Sequence, residues 1–456
     1  MSAICFYFQV HQPYRLRHYS FFEIGQNPFY EDSEANLGIT VKVAQKCYLP
    51  MNNLLLKLIK RHNGRFKVAF SISGTALDQF EEYAPEVLKS FQALVETNCV
   101  ELLAETYTHS LSFLYSPSEF KDQVKQHSKR IKELFGVSPT VFRNTELIYN
   151  NDLAYALEGM KFKAVLAEGA DHVLGWRSPN FLYQPVGCKN IKLLLKNYSL
   201  SDDIAFRFSN QGWAEWPLTS EKFGNWVREA SLQGDCINLF MDYETFGEHQ
   251  WASTGIFQFM EALPNELFKI PHFEFLTPSE VAKKFNVAAE LDVPHFMSWA
   301  DAERDLTAWL GNDMQHDAIE SAYRLEGQVK KIKDEGMLRT WRRLLTSDHF
   351  YYMCTKWFSD GDVHAYFNPY GSPYDAYINY MNVLADFSLN LEASLAKKKT
   401  TVRRKVANDD DKESKKETKV VKKSTKIATK ENVKTATVTK TVKKGTKGAK
   451  KGTKTI

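Results

Sequence analysis

Along the first 280 positions, apolar and β-favouring residues recur in short, nearly continuous runs, each followed by a stretch of helical periodicity. AICFYFQV (3–10) predicts a strand, and VKVAQKCYLPMNNLLLKLIKRH (41–62) predicts helical segments around Pro50. FKVAFSIS (66–73) predicts a second strand and PEVLKSFQALVE (85–96) a helix. CVELLAET (99–106), TVFRNTEL (140–147) and FKAVLAEG (162–169) predict further strands, separated by helices over 118–136, stopped by Gly136, and 151–160. A looped region over 170–215 precedes a helix near 220–233, the strand CINLFMDY (236–243), a helix over 254–267 and the short strand FEFLT (273–277). Strands that are apolar throughout are covered on both faces, so this alternation predicts a parallel sheet flanked by helices. About seven such strands predict a closed or nearly closed barrel.

From about residue 300 the period becomes helical, with two helical stretches flanking the loop DGDVHAYFNPYGSPY (360–374). The expected organisation is a catalytic barrel over 1–295, a helical subdomain over 296–396 that completes the cleft, and a tail over 397–456. The tail is built from Lys, Thr, Val, Ala and Gly without one aromatic residue. It cannot bury enough surface to offset its ordering entropy, and disorder is expected.

Composition adds a division of charge. The net charge of +4 hides a tail with 22 Lys or Arg against six Asp or Glu, leaving 37 basic and 49 acidic residues in 1–396. A basic tail is suited to non-specific contact with a polyanion such as nucleic acid. An aromatic content of 13% serves a large core, with some rings available as stacking platforms in a cleft. The six cysteines are scattered without a C-x-x-C pair, so neither a zinc knuckle nor a thioredoxin-type motif is supported. The N-terminal run is too short for a signal peptide or a membrane span, and a cytoplasmic chain without membrane contact is expected.

The candidate chemistry lies at the strand ends, where parallel barrels build their sites. The first strand ends in His11 and Gln12, the third in Glu105, Tyr107 and His109, and the fourth in Arg143, Asn144 and Glu146. The fifth ends in Glu168, Asp171 and His172; a helix cap or surface loop is the reading preferred for Glu168 and His172. The strand over 236–243 ends in Asp242, Glu244, His249 and Trp251. Two chemistries fit a ring of carboxylates and imidazoles. One is glycoside hydrolysis by paired carboxylates, with Glu146 and Asp242 on non-adjacent strands. The other is metal-assisted hydrolysis through His11, His109, Asp242 and His249, whose spacing lacks a strong ligand signature.

Five motifs in order, HQP (11–13), VELLAETYTHS (100–110), FRNTELIY (142–149), MDYETFGEH (241–249) and LTPSEV (276–281), give a chain that resembles glycoside hydrolase family 57 over roughly residues 1–390. The resemblance implies an incomplete (β/α)7 barrel and a retaining enzyme acting on α-glucan such as glycogen, starch or maltodextrin, closest to the α-amylase-like branch. It implies Glu146 as nucleophile, Asp242 as general acid/base, and His11 and His109 as residues that hold the sugar. Trp251, Trp299 and Asp301 are implied to line the cleft. The two-carboxylate mechanism needs no metal or cofactor. Arg143 is expected to help keep Glu146 ionised, and Glu146 or Glu244 to raise Asp242. Three readings stay open: a transglycosylase with the same residues, a metal-dependent carbohydrate deacetylase, and a non-catalytic glucan-binding protein. Oligomeric state is not legible.

Overall fold

The computed structural model describes residues 2–356 and 368–438. The strands are β1 (Ser2–Val10), β2 (Val68–Ile72), β3 (Val100–Leu102), β4 (Val141–Arg143), β5 (Ala164–Glu168), β6 (Tyr183–Pro185), β7 (Lys192–Lys196), β8 (Cys236–Asp242), β9 (Phe273–Phe275) and β10 (Ala289–Leu291). β1 lies between β2 and β8, parallel to both, and β9 pairs with its first residues. β2 continues to β3, and the bridge Ala104–Phe142 joins β3 to β4. β4, β5 and β7 follow in parallel. Asn197 N–H then donates to the Asn238 carbonyl at 2.8 Å, bringing β7 back to β8.

Seven parallel strands, β1-β2-β3-β4-β5-β7-β8, therefore form the ring of a (β/α)7-type barrel. Its weak seam is β7–β8. There the antiparallel β6 takes the edge of β7 at Leu193, and β10 extends β6. Little of β7 remains for β8, and the Asn238 side chain bridges to the Leu195 carbonyl at 2.9 Å.

The region over 170–215 is a correction to the expected loop, since it holds helix Asp171–Leu174, β6, β7 and helix Tyr198–Ala205. β7 is five residues of KLLLK and β6 contains Pro185, so neither shows a readable period. Helix Gly74–Tyr83, capped by Ser73, was also hidden, because it opens on a glycine and follows β2 directly. The strand expected over 140–147 stops at Arg143, where the chain turns sharply. Around Pro50, helices Ser33–Val43 and Leu49–Arg61 are joined by a wide π-turn over Ala44–Tyr48. Pro50 has no N–H to give the Lys46 carbonyl, and a wider turn accommodates that loss. The freed carbonyl packs on Gly247 (φ 110), where any Cβ would collide with it.

Residues Met1–Leu391 form one compact unit and Glu392–Ile456 another. The helices over 307–351 and the start of helix Pro373–Val438 belong to the first unit. That last helix runs on past residue 397 as far as Val438. No proline or glycine interrupts the chain between Pro373 and Gly445, and Lys, Ala and Glu favour helix locally even without a face to bury. None of the described side chains from Glu392 onward is buried. The loop positions 360–367 and tail positions 439–456 lie outside the described residues. Among the described residues no helix is long and apolar enough to cross a membrane.

Candidate active site

Strand parity builds the site. Successive side chains of β1 point alternately to the helices and to the barrel interior. Ile4, Phe6, Phe8 and Val10 join the outer core, whereas Ala3, Cys5 and Tyr7 join Ala69, Leu103, Val141, Ala164, Leu166, Leu194 and Phe240 inside. Continuing each inward series towards the C-terminal strand ends reaches Gln9, Ser71, Glu105, Arg143, Glu168, Lys196 and Asp242. The apolar plug is thus roofed by a polar layer, and register places Gln9 beside Asp242 and Glu168 beside Lys196.

Glu105 and Glu146 are joined through one imidazole. His109 Nδ1 lies 3.0 Å from Glu105 Oε2, and its Nε2 lies 3.0 Å from Glu146 Oε1. Burial alone would lower the His109 pKa, but the two carboxylates outweigh it and raise it to about 9. With both nitrogens facing acceptors, the ring is an imidazolium at neutral pH. Burial likewise acts to raise Glu105 and Glu146, and His109 reverses it, holding Glu105 near about 2 and Glu146 below its ordinary value. Arg143 adds to the same effect on both. Trp299 Nε1–H donates to Glu146 Oε2 at 2.7 Å, so both oxygens of this carboxylate have partners. Glu146 has left-handed backbone (φ 56, ψ 25), as does Leu147 (φ 52), a conformation costing a non-glycine residue about 1–2 kcal/mol.

Asp242 closes β8 and shows the opposite tendency. Burial first, and then the Glu146 charge, push its carboxyl up to about 6, against Arg143, His109 and Lys196. Two neighbouring acids are therefore driven apart, one ionised and one poised to hold a proton. The Arg143 guanidinium is fully buried without a hydrogen-bond partner among the described residues and lies over the Trp299 ring, 4.8 Å from its centroid. His11 stacks on His109 with centroids 4.0 Å apart. Its Nδ1 meets Ser73 Oγ at 2.7 Å and its Nε2 meets Asp348 Oδ2 at 2.9 Å.

The remaining sequence candidates separate. Glu244 is buried against Tyr48, which donates to it, and burial together with Asp242 pushes it to about 8. A carboxyl protonated at neutral pH supplies no negative charge, so Glu146 and not Glu244 raises Asp242. His249 is tied into the same turn by its N–H to the Glu244 carbonyl at 2.9 Å, and burial lowers its imidazole to about 4. Asp301 pairs with Lys356 at 3.3 Å. Trp251 is 62% exposed. Glu168, read from sequence as a cap, is fully buried beside Lys196, while His172 stands in helix Asp171–Leu174.

Sequence reasoning missed Gln9, Ser73, Lys196, Asp348 and Arg304. Inward parity on β1 was a usable signal for Gln9. Lys196 was lost with β7, and Asp348 is 337 positions from its partner His11.

Several solved structures share this architecture. The chain shares its fold with a branching enzyme from Pyrococcus horikoshii (TM-score 0.59, 14% identity, 80% of this chain and 87% of that one). It also resembles an α-amylase from Thermotoga maritima (TM-score 0.55, 13% identity, 87% and 93%). In the 4-α-glucanotransferase from Thermococcus litoralis (TM-score 0.51, 15% identity) it covers 54% of a longer chain with 80% of its own. A protein of Methanocaldococcus jannaschii that carries the name "Putative alpha-amylase" is 45% identical over 411 residues, 86% of each chain. Residues 5–294 match the model of glycosyl hydrolase family 57, and the chain belongs to that family.

Proposed function

We propose that the protein is a retaining hydrolase of α-1,4-glucan, with Glu146 as nucleophile and Asp242 as general acid/base. The observation that carries this reading is the opposed proton demand of the two acids: Glu146 is held ionised by His109, while Asp242 is pushed up to about 6. In the first step the Glu146 carboxylate attacks the anomeric carbon, and Asp242 gives its proton to the departing glycosidic oxygen. In the second step the Asp242 carboxylate takes a proton from water as that water displaces the sugar from Glu146. The buried Arg143, without a hydrogen-bond partner among the described residues, supplies positive charge at low dielectric where the negative charge of Glu146 is needed. His109, with both nitrogens engaged, serves Glu146, and the His11 ring, stacked on it and engaged in turn by Ser73 and Asp348, backs it in that position. Trp251 serves an outer part of a long glucan chain, and Glu244 and His249 shape the turn that presents Asp242.

A metal-binding use of His109 conflicts with its donors, because an imidazolium bonded at both nitrogens has no lone pair to offer. Transglycosylation remains the second reading, favoured by the fold shared with the branching enzyme and the glucanotransferase. We place the reaction in the cytoplasm, a compartment that suits six free, buried cysteines. The basic segment from 397 makes non-specific contact with polyanions. A time course on maltoheptaose, resolving products by length for wild type and Glu146→Gln, tests the function. Shorter products only, abolished in the variant, are expected; longer products would make the enzyme a transferase, and no product would overturn the α-glucan reading.

A further inference from the structure

Beside the catalytic carboxylates lies a second cluster of buried charge that the mechanism above does not use. Lys196 Nζ lies 3.0 Å from Asp202 Oδ1 and 3.5 Å from Glu168 Oε2. Arg304 reaches the same two acids, Nη2 to Asp202 Oδ2 at 3.5 Å and Nη1 to Glu168 Oε2 at 3.8 Å. Each cation thus touches both anions. Glu168 and Lys196 come from the ends of β5 and β7, Asp202 from helix Tyr198–Ala205, and Arg304 from the loop after β10. Such a cluster is weak evidence for stability, since removing four charges from water costs several kcal/mol per ion and an apolar replacement would serve packing as well.

The cluster has a geometric outlet. Arg304 Nη1–H also donates to the Trp299 carbonyl, and the Arg304 carbonyl accepts from Ser298 N–H at 3.0 Å, closing the 298–304 loop on itself. Lys196 Nζ lies over the Trp299 ring, 5.4 Å from its centroid. Trp299 in turn grips Glu146 twice, through its backbone N–H to the Glu146 carbonyl at 3.2 Å and through its indole N–H to Oε2. Glu146 sits in the left-handed turn described above, which the chain must be held into.

We propose that the Glu168–Lys196–Asp202–Arg304 cluster is a positioning device that acts through Trp299 to hold the Glu146 carboxylate in its attacking orientation. Trp299 is then a positioning residue and not a platform on which sugar stacks. Misplacement of a reacting group by about 1 Å costs roughly 100-fold in rate, so the device acts on turnover and not on affinity. The inference rests on Glu146 being the nucleophile.

The test combines four variants with maltoheptaose. Trp299→Phe keeps an aromatic ring and removes the indole N–H. Glu168→Gln/Lys196→Met removes one charge of each sign and keeps the cluster neutral. Both should lower kcat, by roughly 100-fold and roughly tenfold respectively, with KM within about threefold of wild type. Calorimetric Kd values for Glu146→Gln and Glu146→Gln/Trp299→Phe should agree within about threefold. A weakened Kd with unchanged kcat in Trp299→Phe would make the ring a sugar platform and overturn the proposal. Unchanged kcat in the charge-neutral double variant would overturn the role of the cluster. Glu146→Gln alone separates the two assignments: if it turns over, the nucleophile reading falls and the positioning role with it. If it is inactive while Trp299→Phe is not impaired, only the positioning role falls.

Discussion

Replacing Glu105 and His109 together by glutamine removes the buried ion pair that holds Glu146 ionised, without leaving either partner charged and alone. The size of the effect follows from His109. Its pKa rises from the ordinary 6.5 to about 9 on folding, which at about 1.4 kcal/mol per pH unit is about 3 kcal/mol. The sign is that of a group raised by folding: the stabilisation is complete below pH 6.5 and is lost as pH rises through about 9. Glu105, held near about 2, contributes in the opposite sense, with stabilisation present above its ordinary 4.5 and lost as pH falls through about 2. The stability gap between wild type and the double variant is therefore widest near pH 4.5–6.5 and shrinks by about 3 kcal/mol by pH 9–10. Urea unfolding followed by tryptophan fluorescence, run on both proteins across this range, measures the gap, and groups such as Glu244 that both proteins share cancel in it. A gap that stays constant to within 1 kcal/mol, or widens with pH, would mean that burial wins and His109 is neutral. The electrostatic account of Glu146 would then fail.

The rate should follow the same charges. With Asp242 at about 6 and Glu146 below its ordinary value, kcat/KM should fall as pH rises above about 6, with the acid limb lying below pH 4.5; activity still rising at pH 8 would refute the acid role of Asp242. Incubation with EDTA should leave maltodextrin cleavage unchanged, because His109 has no free lone pair, whereas loss of activity restored by added zinc would reverse that conclusion. Truncation after residue 396 should leave turnover within about twofold and abolish retention on a polyanion resin at low salt; a large loss of turnover would show that the basic segment serves the glucan chemistry. Trp251→Ala, at a largely exposed position, should change stability by less than about 0.5 kcal/mol. Its readout is KM on long maltodextrin, and a kcat loss of roughly 100-fold would place the ring at the reacting sugar instead.

Much of the barrel was legible because its information is local. β1, β2, β5 and β8 are apolar runs, and wherever a run ended in polar residues the chain was leaving a buried strand at the rim. His11, Glu105, His109, Arg143, Glu146 and Asp242 could be named from that rule alone, before any pairing was known. The basic character of the last 60 residues was equally open to reading. What only tertiary structure decided depends on ring closure. β7 is too short to show a period, so Lys196 became visible only once β5 and β8 placed it between them. Asp348 reaches His11, and Trp299 reaches Glu146, across 337 and 153 positions, and no spacing encodes such contacts. The proton demands of the acids were decided last: the same carboxyl group is held near about 2 at Glu105, about 6 at Asp242 and about 8 at Glu244. Residue type sets which groups can titrate, while burial and the nearest charge, both products of the fold, set where.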